Sequence, residues 1–148
     1  MGSTHLSLHY HVVFSTKGRA GLITPDVRGR IHEYIGGAVR GNRCISHAVG
    51  GTKDHVHVLV GLRAEHRLSD VMREVKSESS LWIHRELRMP LFAWQEGYGG
   101  FTVSASHVET VRRYVLRQEE HHRVRTFQEE YVAMLQRGLV EYDERYLW

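Results

Sequence analysis

The chain has one cysteine and two prolines in 148 residues. A single thiol, Cys44, permits no internal disulfide and excludes a thiolate metal cluster. No apolar run approaches the ~20 residues that a membrane span needs. Met1 to His9 lacks a charged start followed by an apolar stretch, so it does not read as a secretory signal. These absences lead us to expect the cytoplasm. There are also no internal repeats, low-complexity tracts or long linkers, and residues 1–148 read as a single domain. The composition, 41% hydrophobic and 25% charged, is that of a globular protein able to bury a core. The net charge of +3 and sequence pI of about 9.2 are compatible with a phosphate-bearing partner, and with many others. What the chain has in excess is histidine, 12 residues of it, which suggests metal or acid–base chemistry.

Periodicity sets out the elements. From His5 to Phe14 the residues alternate: Leu6, Leu8, Tyr10, Val12 and Phe14 share one face, and His5, Ser7, His9, His11 and Val13 the other. Thr24-Pro25-Asp26 starts a helix with apolar positions Val27, Ile31, Tyr34, Ile35 and Ala38, closed by Gly41. Strands are expected at Cys44–Val49 and His55–Leu62, with a turn at Gly50-Gly51. Ser69-Asp70 opens a second helix striped by Leu68, Val71, Met72, Val75, Ser79, Trp82 and Ile83, and Met89-Pro90 breaks the pattern. Phe92–Trp94 and Gly100–Ser104 look extended. Ser106-x-x-Glu109 is a capping box for a helix running to about His122, where His121 and His122 would cap its C-terminal end. Thr126-x-x-Glu129 is a second capping box for a last helix ending near Gly138. The order predicts an α+β fold: a ferredoxin-like (RRM-like) antiparallel sheet with helices on one face, plus two C-terminal helices. The other sheet face is expected to be free for a site.

The segment Asp54-His55-Val56-His57-Val58-Leu59-Val60 places Val56, Val58 and Val60 toward the core, and His55 and His57 on the opposite face. Two imidazoles about 6–7 Å apart along a strand can share one ion. His9 and His11 form a rival pair on the first strand, and the spacing alone leaves open which histidines hold a metal. On the helix after Ser106, Val108, Val111, Val115 and His122 define a buried stripe that includes Tyr114 and Gln118, four residues apart. A neutral amide on a packing face needs partners. If that face lies over the histidines, Gln118 becomes a third ligand and the Tyr114 phenol comes within reach of whatever the metal holds. Two imidazoles and one amide oxygen leave coordination positions open, as a catalytic site requires, and suit Mg²⁺ or Mn²⁺.

The chain resembles, over nearly its whole length, the single-tyrosine HUH transposases of small bacterial insertion sequences and their domesticated relatives linked to extragenic palindromes. The resemblance lies in Tyr10 to Arg19, in Asp54-His55-Val56-His57, in Val75-Lys76 with Ser79-Ser80, in Trp94 to Phe101, and in Tyr114-x-x-x-Gln118-Glu119-Glu120-His121-His122. It implies a bacterial enzyme in which Tyr114 is the nucleophile and His55, His57 and Gln118 hold a divalent metal. Such an enzyme cleaves and rejoins single-stranded DNA at hairpin-marked ends through a 5′-phosphotyrosine. It also implies a homodimer in which the tyrosine helix of one subunit serves the histidines of the other, with a hinge near Ser104 to His107. Lys17, Arg19, Arg73 and Lys76 are the candidate DNA-backbone contacts.

Two other readings compete. A non-catalytic single-strand-binding module of the same fold needs aromatic residues on the open sheet face, where this chain carries histidine. A metal hydrolase using His9, His11, His55 and His57 with water as nucleophile leaves the Tyr114–Gln118 spacing unexplained.

Overall fold

The protein is described here by a computed structural model covering residues 2–148. Four strands, β1 (Leu8–Ser15), β2 (Ile45–Gly51), β3 (His55–Leu62) and β4 (Gly99–Val103), form one antiparallel sheet in the order β2-β3-β1-β4. This is the ferredoxin-like α+β arrangement expected from the sequence. Helices α1 (Pro25–Gly41) and α2 (Leu68–Glu86) connect strands and cover one face. Their apolar stripes meet Val12, Phe14, Val56, Val58 and Val60 in the main core. Burying each valine contributes about 1.5–3 kcal/mol, which is why strand alternation dictates the orientation of β1 and β3. Trp94 packs edge-on against Phe14 and donates its indole N–H to Ser79 Oγ, accounting for a buried serine in α2.

Register decides what lies on the second face. Val13 stands opposite His57, Ser15 opposite His55 and His11 opposite Leu59. His11, His55 and His57 therefore share that face, as alternation predicts.

Contrary to expectation, this face is not open. The chain after β4 folds back over it as α3 (Val108–Leu116), α4 (Gln118–His121) and α5 (Phe127–Arg137). Ala48, Leu59 and Val115 form one small core under α3, and Val13, Phe127, Tyr131, Met134 and Leu135 form another under α5. Two glycines permit the close approach. A Cβ on Gly50 would stand 1.9 Å from the Val115 carbonyl oxygen, and one on Gly99 would stand 2.6 Å from the Tyr131 hydroxyl.

Two local expectations are corrected as well. The helix begun near Ser106 does not run unbroken to His122, because Arg117 leaves helical geometry at φ −110°, ψ 29° and separates α3 from α4. The Tyr114 carbonyl accepts both the Arg117 backbone N–H and the Gln118 side-chain amide at this break. The Ser106 capping box does not form either: the hydroxyl turns to Ser104 and His107 within a short 3-10 turn. The capping box at Thr126 does form, with the hydroxyl accepting from the Glu129 amide.

Candidate metal and nucleophile site

The covered face holds a buried polar cluster. His55 and His57, on β3, are both fully buried, and Gln118, at the start of α4, is 1% exposed. The Gln118 Oε1 lies 3.2 Å from His55 Nε2. The other side of His55 is held in place: its Nδ1 is 2.9 Å from Asp54 Oδ1 and 3.1 Å from Thr52 Oγ1. Burial works to raise the Asp54 pKa, but the hydrogen bond and charge of His55 outweigh it and keep that carboxyl below its ordinary value. An ionised carboxylate only accepts, so in the neutral imidazole Nδ1 carries the proton and Nε2 presents a lone pair. With Gln118 Nε2 committed to the Tyr114 carbonyl, the amide oxygen is the atom turned to His55.

His57 Nδ1 lies 2.7 Å from His11 Nε2. Burial is the main reason both imidazoles resist protonation; it lowers His57 to about 4 and His11, with the neighbouring His57, to about 3. Of the rival pair on β1, His11 thus joins the cluster through His57, whereas His9 turns to His47 at 3.1 Å.

Tyr114, on α3, stands over these histidines, its ring 5.8 Å from that of His57 and 6.0 Å from that of His11. Its hydroxyl donates to Glu130 of α5 and is 3.4 Å from His121 Nε2. Burial, and then the Glu130 carboxylate, push the phenol above its ordinary pKa.

Glu130 itself is 1% exposed. Burial would raise its pKa, but contacts with His122, His57 and Tyr114 outweigh it and hold the carboxyl well below the usual range. His122 Nε2 lies 3.1 Å from Gln118 Oε1 and 3.3 Å from Glu130 Oε2, so this residue turns inward rather than simply capping a helix end. One ligand atom from each of His55, His57, His122 and Glu130 falls within a common 4.8 Å. A set of imidazole nitrogens and carboxylate and amide oxygens gathered this closely fits a divalent cation.

Glu130 and His122 were not singled out as ligands in the sequence. The available signal for Glu130 was its place inside the apolar stripe of α5, three residues after Phe127 and one before Tyr131.

The four basic candidates lie elsewhere. Lys17 is exposed and Arg19 part-buried in the turn leaving β1, where the Arg19 guanidinium sits 5.5 Å from the centre of the Trp148 ring. Arg73 pairs with Asp70 on α2 at 3.3 Å. Lys76 Nζ donates to the Gln95 and Gly97 carbonyls at 2.7 and 2.6 Å, tying down the segment before β4.

The model of the family described as "Transposase IS200 like" matches residues 4–118, a span that includes β1, the His55–His57 strand, Tyr114 and Gln118. The chain belongs to the IS200-like transposase family. No curated protein sequence matches it. Among solved structures, a candidate transposase from Deinococcus radiodurans R1 is 22% identical; the likeness covers 78% of this chain and 94% of that one, with a TM-score of 0.63. A REP-associated tyrosine transposase bound to a REP hairpin is 12% identical, with 78% of this chain and 70% of that one covered and a TM-score of 0.55. These likenesses show a shared fold. In this IS200-like family member, His122 and Glu130 lie beyond the residues that the family model matches.

Proposed function

We propose that the protein cleaves and rejoins single-stranded DNA at hairpin-marked ends, with Tyr114 as nucleophile and His55, His57 and Gln118 holding a divalent metal. The observation that carries this reading is the meeting of Tyr114, His55, His57 and Gln118 in one buried cluster, in a chain of the IS200-like transposase family.

A Mg²⁺ or Mn²⁺ ion bound there would supply the positive charge that draws electron density from a phosphodiester. His55 is oriented for this by Asp54, and Gln118 by the Tyr114 carbonyl. Tyr114 attacks phosphorus through its phenol oxygen. The bond from phosphorus to the 3′ oxygen breaks, the phenol loses its proton, and the departing 3′ oxygen takes one up. The products are a 5′-phosphotyrosine and a free 3′-hydroxyl. Attack of a 3′-hydroxyl on the phosphotyrosine reverses the sequence and joins strands, because the ester conserves the bond.

Lys17, Arg19, Arg73 and Lys76 are proposed as contacts to the DNA backbone, with Lys17 and Arg73 exposed and Arg19 and Lys76 part-buried. A single chain suffices to bring Tyr114 over His57, so this reading does not require exchange of tyrosine helices; a homodimer with exchanged helices is the second arrangement. No helix among the described residues is long and apolar enough to cross a membrane, in keeping with a proposed place in the bacterial cytoplasm beside DNA. A stacking platform of RNA-recognition type is disfavoured, because α3 to α5 cover the sheet face it would use.

The test is incubation with Mn²⁺ and hairpin-bearing single-stranded DNA. A covalent protein–DNA adduct is expected on denaturing gels, lost in Tyr114→Phe. An adduct that persists in Tyr114→Phe overturns the assignment of the nucleophile.

A further inference from the structure

We infer that Glu130 is itself a ligand of the divalent cation, so that α5 contributes one arm of the metal centre. This rests on the metal site proposed above, and adds to it a residue outside the span shared with the family model.

Glu130 Oε1 lies 2.8 Å from His57 Nε2 and 3.8 Å from His55 Nε2. The two atoms approach within hydrogen-bonding distance but without hydrogen-bond alignment, so neither Glu130 Oε1 nor His57 Nε2 has a well-directed partner, and their residues are 1% and 0% exposed. A buried carboxylate oxygen facing an imidazole nitrogen without good alignment, away from water, is costly unless something positive lies between them. A cation accounts for both orphans together. Ligands placed about 2.0–2.1 Å from a small octahedral cation stand roughly 3 Å from one another, the spacing seen here.

The two carboxylate oxygens divide the work. Oε2 is occupied by the Tyr114 hydroxyl, by His121 Nε2 at 3.1 Å and by His122 Nε2 at 3.3 Å, whereas Oε1 is left for the ion. His57 is similarly divided, its Nδ1 being taken by His11. Glu130 therefore links the Tyr114 hydroxyl to the metal, and the docking of α5 and the occupancy of the site become coupled. An added carboxylate also moves the donor set toward the oxygen-rich ligation that suits Mg²⁺ and Mn²⁺.

The test uses the full-length, metal-stripped protein. Mn²⁺ affinity is measured by calorimetry, and melting is followed with and without Mn²⁺, for wild type, Glu130→Gln and Glu130→Ala. Loss of an outer partner of a metal ligand typically weakens binding about 10–100-fold, so loss of a direct ligand should weaken it at least about tenfold. Mn²⁺ should raise the melting midpoint of wild type and leave that of Glu130→Gln nearly unmoved. The Gln variant, which keeps the shape and can donate to His57, should fold without metal at least as well as wild type. Mn²⁺ affinity and metal-induced stabilisation unchanged in both variants overturn the inference. If wild type still forms the DNA adduct in that case, the proposed function stands and only the Glu130 assignment falls. Conversely, lost Mn²⁺ affinity in the variants with no adduct in wild type supports the ligand and overturns the nucleophile.

Discussion

The hydroxyl of Tyr114, on α3, donates to the carboxylate of Glu130, on α5, and so joins two helices that cover the histidine face of the sheet. The same contact places an anion against the phenol and disfavours its ionisation. For Tyr114 to act as the proposed nucleophile, positive charge is needed at the neighbouring histidines, which would tie its reactivity to the proposed metal site.

Stability without metal should depend on pH through His11 and His57. Both have folded-state pKa values lowered, to about 3 and about 4, from 6.5. Below pH 6.5 the unfolded chain binds protons that the folded chain refuses, so stability falls as pH falls. The slope is about 1.4 kcal/mol per pH unit for each histidine, down to its folded value. Glu130, whose folded pKa is also lowered, adds a loss of the same sign below the ordinary carboxylate range. Urea unfolding in EDTA should show the decline between pH 6.5 and 4; a flat profile there would contradict the burial argument.

Gly50→Ala should be damaging. The added methyl would meet the Val115 carbonyl at 1.9 Å, directly opposite His57 in the sheet, and backbone cannot swing aside as a side chain can. A cost of about 1–3 kcal/mol is expected, with reduced adduct yield because α3 carries Tyr114. Gly29→Ala, with nothing within 4 Å of its added Cβ and a position inside α1, should instead gain about 0.5–1 kcal/mol. Chemical denaturation of the two variants checks the contrast.

Asp54→Asn should uncouple His55. The carboxylate holds Nδ1 at 2.9 Å, and an amide can present N–H there and favour the wrong tautomer. Mn²⁺ affinity is expected to fall about 10–100-fold, measured by calorimetry, with little change in the circular dichroism spectrum.

Mixing subunits separates the two assemblies. His57→Asn and Tyr114→Phe should each be inactive alone. If the cluster works within one chain, the mixture also yields no adduct. Adduct formation in the mixture, carried by the His57→Asn chain, would instead show that the tyrosine helix serves a partner.

Much of this arrangement follows from local periodicity. The outward direction of His55 and His57 is a consequence of the two-residue repeat of a strand whose alternate valines must be buried. That Tyr114 and Gln118 point the same way follows from helical spacing, and it survives the break at Arg117 because the Gln118 amide reaches back to the Tyr114 carbonyl. Only the tertiary structure decided what closes the site. Glu130 follows Glu129 in what reads as an ordinary capped, solvated first turn, and His122 as a helix-end cation. Their true surroundings depend on the chain turning back across the sheet, and that turn is set by apolar residues of α5 finding Val13 between the histidines of β1 and β3. Alternation and helical repeat determine which way a side chain faces, because they act over a few residues. Which side chains then meet depends on long-range burial of apolar surface, and here that burial carried a carboxylate into the histidine cluster.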